Sequence, residues 1–297
     1  MDRTQHSALK IDYPVHQIVP YINWLYFFHA WGMEPRFATI AEVHDCPACR
    51  AGWIASFVPE EQAKAREAMA LYTEAIALLH QWGDKAICQA LCVLAEANSE
   101  GDDIVIGHRT RLPLLRQQKA GKDGYTLCLS DYIRPASSGM PDMIGVFATT
   151  AHIPESDNTL LASTLADRLA EATAERLHEE VRKLHWGYAK EESLTMHELH
   201  QETFQGIRPA VGYPSLPDQS VNFIIDELLD LKKIGITLSS SGAMQPASSV
   251  SGLMIAHPKA RYFSIGDIGE DQLRDYALRR SLSVEEMERF LQQCIKN

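Results

Sequence analysis

The sequence is short of several things, and each shortage removes a class of function. Its 297 residues include 28 Lys and Arg against 39 Asp and Glu, a formal charge of −11. Nucleic acid and anionic membrane both need clustered positive charge, so neither is expected as the main partner. The most apolar early stretch, residues 21–31, is too short to span a bilayer and is interrupted by Asn23 and His29. The first residues, MDRTQHSALKID, are polar and of both charge signs, unlike a signal peptide, so a cytoplasmic location is expected. Six cysteines are too few to staple a chain of this size and are expected to be reduced. There is no G-x-S-x-G elbow, no P-loop and no G-x-G-x-x-G after a strand, so hydrolase, NTPase and Rossmann readings lack their core element. A Rossmann-type methyltransferase would need a glycine-rich turn after its first strand, and none is present. Repeats, low-complexity tails and linkers are also missing, so residues 1–297 are read as one domain.

Two histidine motifs fall short of a metal site in the sequence. His44-Asp45-Cys46-Pro47-Ala48-Cys49 has C-x-x-C spacing beside a histidine. A structural zinc site needs a fourth ligand, which Cys88 or Cys92 would have to supply, and no second C-x-x-C exists. The expectation is no metal. His197 and His200 are three apart rather than in H-E-x-x-H, and read as a solvated helix face.

What is present is an ordinary globular balance, 45% hydrophobic and 23% charged. Residues 17–58 are rich in aromatics (Trp24, Tyr26, Phe27, Phe28, Trp31, Phe37, Trp53, Phe57) and read as core. Pro59-Glu60-Glu61 opens a helix that Gly83 stops. Strands are predicted near residues 86–93, 102–106, 125–133 and 143–150, the last apolar enough to be buried on both faces. A long helix covers roughly 158–184. Leu161, Leu165, Leu169, Ala172, Leu177, Val181 and Leu184 form its buried side, and Asp167, Glu171, Glu175, His178 and Arg182 a polar stripe. A short helix follows near 195–204, then short strands and turns over 235–265, and two helices at the end. Ser283 and Glu286 make a capping box for the last one. Strands and helices without strict alternation argue for an α+β fold with a mainly antiparallel sheet.

The unusual string is GIRPAVGYPSLP, residues 206–217. Pro209 and Pro214 fix φ, Gly212 permits a positive φ or a close ligand approach, and between them sit Arg208 and Tyr213. A rigid loop of this kind suits an amino-acid ligand carrying a flat base, because arginine grips a carboxylate through two parallel bonds. The residues alone allow equally a rigid connector whose arginine pairs with an acidic neighbour.

The same string resembles the S-adenosylmethionine-binding activation domain of cobalamin-dependent methionine synthase, which carries R-P-x-x-G-Y-P. Further similarity lies in LADRLAEA from Leu165, ERLHE from Glu175, WGYA from Trp186, SVSG from Ser249, His257-Pro258 and Arg261-Tyr262-Phe263. It runs in order over about residues 17–293. The resemblance implies a C-shaped α+β domain with a twisted antiparallel sheet flanked by helices. It implies S-adenosylmethionine as ligand, with Arg208 at its methionine end and Glu171 taking the α-ammonium. Ala210 and Gly212 would contact it through backbone, Tyr213 would lie between it and the corrin, and Tyr262 and Phe263 would hold the adenosine side. Asn23 stands where many members have aspartate, Ser240 where a glutamate is usual, and the 150–165 segment is shorter than usual. Without the resemblance, Glu171 reads as part of a solvated face.

The chain lacks the D-x-H-x-x-G cobalamin-binding string and the zinc cysteines of homocysteine activation. The resemblance therefore implies a free-standing activation subunit, or an excised domain, that reactivates cob(II)alamin on the cobalamin-binding core of methionine synthase. Its methyl group would come from S-adenosylmethionine and its electron from flavodoxin or a reductase. The alternative is a ligand sensor or scaffold without methyl transfer. A stand-alone methyltransferase has no acceptor-side chemistry in the sequence.

Overall fold

The computed structural model describes residues 8–107, 109–121, 124–154 and 159–295. An N-terminal strand β1 (Leu9–Pro14) leads into short helices α1 (Val15–Ile18) and α2 (Trp24–Ala30), then α3 (Pro47–Ala55) and the 21-residue α4 (Gln62–Trp82). Gly83 ends α4 at a φ of +46°, as the sequence predicts. Next come β2 (Ile87–Glu100), β3 (Asp103–Ile106), β4 (Thr110–Pro113) and β5 (Asp142–His152). The long α5 (Leu160–Glu180) follows, then α6 (Met196–His200), α7 (Val221–Leu229), the short pair β6 (Thr237–Leu238) and β7 (Met244–Gln245), β8 (Ser249–Met254), α8 (Glu270–Arg280) and α9 (Val284–Phe290).

The main sheet runs β4-β3-β2-β5-β8, with β1 beside the first half of β2, and every pairing is antiparallel. It curls into a half-barrel flanked by helices, the expected α+β architecture. Period-two alternation sorts its side chains to two cores. Cys88, Ala90, Cys92, Phe147 and Ala151 face the N-terminal helices and α5. Leu91, Val93, Ala95, Val146 and Ala148 face α7 and the turn after it. A sheet buried on both faces explains why 143–150 reads as nearly continuous apolar sequence. A third cluster joins Leu273, Tyr276, Met287 and Leu291 of the two last helices to Ile265.

Four expectations change. Residues 125–133 form no strand: Leu129–Tyr132 is a 3-10 turn, and only an isolated bridge joins Cys128 to Arg116. Asp131 accepts the Cys128 N–H and grips Arg116, a local bonding pattern that competes with a ladder. The long helix starts with Thr159 as its cap, and Asn158 lies outside the described residues. At its other end Val181–His185 is a π-turn. The extra residue slips the 3.6 periodicity, so Leu184 is 72% exposed instead of buried. The aromatic segment is core at Phe27, Phe28, Phe37 and Trp53, but Tyr26 is 55% exposed. The polar stripe of α5 is not solvated throughout: Glu175, His178 and Arg182 are buried. No helix among the described residues is long and apolar enough to cross a membrane.

Candidate functional site

The unusual string docks along β8. Gly206 takes φ +89°, and a Cβ there would lie 2.5 Å from the Ile255 carbonyl. Ile207 and Ile255 exchange backbone bonds of 2.9 and 3.0 Å, Leu253 N–H donates to the Pro209 carbonyl at 3.0 Å, and Val211 N–H to that of Ser251 at 2.9 Å. Pro209 loses nothing by lacking a donor, because its carbonyl is the group used. Gly252 answers on the strand side: a Cβ would sit 2.2 Å from the Pro209 oxygen. The loop then turns at Gly212, φ +87°, whose N–H reaches the Leu216 carbonyl at 2.9 Å.

The loop forms one wall of a cavity of about 760 Å³. A second wall is one face of α5: Arg168, Glu171, Ala172 and Glu175 follow the 3, 4, 7 spacing that aligns side chains on a helix. A third comes from Tyr21, Asn23, Tyr26, His29 and Ala30 around α2, and a fourth from Leu199, His200 and Glu202 around the end of α6. Tyr262 and Phe263 complete it. Of the eight residues singled out in the sequence, Asn23, Glu171, Arg208, Ala210, Tyr213, Tyr262 and Phe263 line this one cavity. Gly212 is not among the lining residues; a Cβ on it would point to Gln219.

The charges in the cavity are arranged. Arg208 Nη2 donates to Glu175 Oε2 at 2.8 Å, with each side chain only 11% exposed. Burial disfavours the guanidinium charge, but Glu175, with Tyr262 and Glu171 beyond it, outweighs this and the pKa rises. Arg208 Nε and Glu175 Oε1 are buried without a partner. The Arg208 N–H also donates to the Tyr262 hydroxyl at 2.9 Å, and burial pushes that phenol up to about 12. The Tyr213 hydroxyl donates to Glu171. Burial, then the charge and hydrogen bond of Glu171, raise its pKa. Tyr213 is nonetheless 50% exposed, standing at the rim. Asn23 caps α2, its Oδ1 accepting the Leu25 N–H at 3.1 Å.

The floor is fixed from behind by groups the sequence reading left in solvent. Arg182 is fully buried, with Nε and Nη2 on the Glu192 carboxylate at 2.7 to 3.1 Å, and its guanidinium lies 4.0 Å over Phe204. His178 packs edge-on to Phe204, and burial, then the Arg182 and Arg208 charges, push its pKa well down, so it is neutral. His200 is no solvated residue either: its Nε2 lies 3.1 Å from the Tyr21 carbonyl, on the cavity wall. Glu175, Arg168, His200 and Glu202 were not named as site residues. Glu175 was within reach, since it lies one helical turn beyond Glu171 on the same face.

Ser240 lies elsewhere. With Ser241, Gln219, Glu286 and Arg289 it lines a separate cavity of about 560 Å³. His44, Cys46 and Cys49 come together, while Cys88 and Cys92 are buried in β2.

Residues 14–281 match the family described as vitamin B12 dependent methionine synthase, activation domain. A crystal structure of the MetH reactivation domain bound to AdoHcy is 34% identical and superposes with a TM-score of 0.83, covering 99% of this chain and 92% of that one. The chain belongs to the activation domain family of vitamin B12 dependent methionine synthase.

Proposed function

We propose that the chain binds S-adenosylmethionine in the cavity beneath the 206–217 loop and serves reductive reactivation of cob(II)alamin on a partner. The observation that carries this is the joining of Arg208, Glu171 and a tyrosine rim in one cavity, in a chain whose solved relative was bound to AdoHcy. Its volume lies within the usual range of small-molecule sites, about 300–1,000 Å³.

The residues present fit the ligand. Arg208 Nε is an unpartnered buried donor that suits a carboxylate, and Glu171 is an acceptor that suits an ammonium once Tyr213 releases it. Tyr262 and Phe263 offer apolar faces for the adenosine, and the Pro209 and Ala210 backbone closes against it. Gly212 serves the turn that orients Tyr213. When bound, S-adenosylmethionine supplies a sulfonium methyl with its own leaving group. The chain needs no acid–base dyad for that chemistry. It holds the ligand in one orientation, excludes water, and presents the methyl at the rim, where the half-exposed Tyr213 faces outward.

The acceptor is the cobalamin held by a methionine synthase core, and the electron comes from flavodoxin or a reductase. The test mixes the chain with a cobalamin-loaded synthase fragment, S-adenosylmethionine and a reductant, followed by visible spectroscopy. Formation of methylcobalamin that depends on this chain supports reactivation. Saturable ligand binding without any spectral change identifies the sensor or scaffold reading instead.

A further inference from the structure

We propose that His44, Cys46 and Cys49 form a zinc-binding site, separate from the cavity. One ligand atom from each lies within 4.8 Å of the other two. That spread can contract onto a single ion, because adjacent vertices of a tetrahedron with bonds of roughly 2.0–2.3 Å are separated by less than this. The donor set is selective: two thiolates and an imidazole suit zinc and disfavour magnesium or calcium, which take oxygen. Two thiolates also balance a divalent charge, so the site needs no further carboxylate. The nearest one, Asp45, is engaged with Arg50 at 2.6 Å.

The local backbone is shaped for a metal knuckle. Cys46 is the N-cap of α3 in an extended conformation, and Pro47 opens the helix. The Cys49 N–H donates to Cys46 Sγ at 3.3 Å, and Arg50 N–H to the Cys46 carbonyl at 3.0 Å. An amide aimed at sulfur stabilises a thiolate, and the helix terminus adds its positive end. Cys46 is half-buried, and His44 and Cys49 are exposed, so three ligands face outward and leave a fourth position for water or a partner's side chain. The four remaining cysteines are buried elsewhere in the fold. The ion has a task. The nine-residue α3 buries only Trp53, which is tied to Thr39 at 2.9 Å. A metal would fix the other end of that helix to the segment before it.

The test uses the full chain, reduced and stripped of metal with a chelator. Cobalt(II) alone should bind one equivalent with a thiolate-to-cobalt charge-transfer band and the visible bands of a tetrahedral site, and zinc should displace it. Zinc should also protect two fast-reacting thiols from alkylation and raise the melting temperature. In Cys46→Ser/Cys49→Ser zinc affinity should fall at least a hundredfold while the far-ultraviolet spectrum matches that of the metal-free parent. His44→Ala should weaken binding less and change the cobalt spectrum. The proposal is overturned if zinc does not bind stoichiometrically at micromolar concentration or if the double variant binds it equally. It is also overturned if the cysteines are isolated as a Cys46–Cys49 disulfide that takes up no cobalt after reduction.

Discussion

Arg208 of the GIRPAVGYPSLP loop reaches Glu175 of α5, 33 residues earlier in the chain, through a buried 2.8 Å ion pair. It pairs with an acidic neighbour, and it also lines the cavity with Nε unsatisfied.

The pair predicts a particular pattern of loss. Arg208→Ala strands a buried carboxylate and should cost about 3–5 kcal/mol of stability as well as ligand affinity. Glu175→Ala should cost a similar amount. The double variant should regain part of the stability but none of the affinity, as denaturant melts and calorimetry on all four proteins would reveal. Additive stability losses would mean the two residues are not coupled.

Asn23→Asp tests the departure from the aspartate found in many family members. Aspartate caps a helix as well as asparagine does, so stability should not change. A carboxylate near the ligand's ammonium should tighten binding about tenfold, or about 1.4 kcal/mol. Asn23→Ala should instead lose the cap, at a cost of about 1 kcal/mol. An unchanged dissociation constant in the aspartate variant would separate Asn23 from the ligand.

Gly252→Ala should push the loop off β8, since the new methyl would meet the Pro209 oxygen at 2.2 Å. Overpacking of this kind costs about 1–3 kcal/mol. Because Pro209 and Ala210 line the cavity, affinity should fall together with the melting temperature.

His178 sets a pH dependence. Its folded pKa is lowered by burial and by the Arg182 and Arg208 charges, so its contribution to stability is present above about 6.5 and lost as pH falls below that. The expected slope is one proton, up to about 1.4 kcal/mol per pH unit. His178→Gln should flatten the stability profile below pH 6.5, measured by denaturant titration at several pH values. An unchanged slope would assign the acid sensitivity to other groups.

How much of this was legible in the sequence follows from how local each signal is. The stop at Gly83 and the capping box at Ser283 are legible because their chemistry lies within a few residues, whereas the Thr195 cap is seen only in the structure. The strand β1 and the helix α7 were not read at all. The first is a polar, edge-paired segment whose partner lies some eighty residues on, and the second is a short, largely apolar run. The α5 stripe was misjudged because hydropathy registers that Glu175, His178 and Arg182 are polar, not that Arg208, Glu192 and Phe204 fold over them. For the site itself, motif similarity located the lining loop and Glu171. It could not supply Tyr26 or His200, which reach the cavity through the packing of α2 against α5 and the bond of His200 to the Tyr21 carbonyl.

The most direct measurement is calorimetric titration of S-adenosylmethionine into the native chain and into Glu171→Gln. That variant leaves the Arg208–Glu175 pair intact, so it should keep its melting temperature. The account predicts one-to-one binding to the native chain, weakened at least tenfold in the variant. Absence of saturable binding to the native protein, or equal affinity in the two, would contradict it.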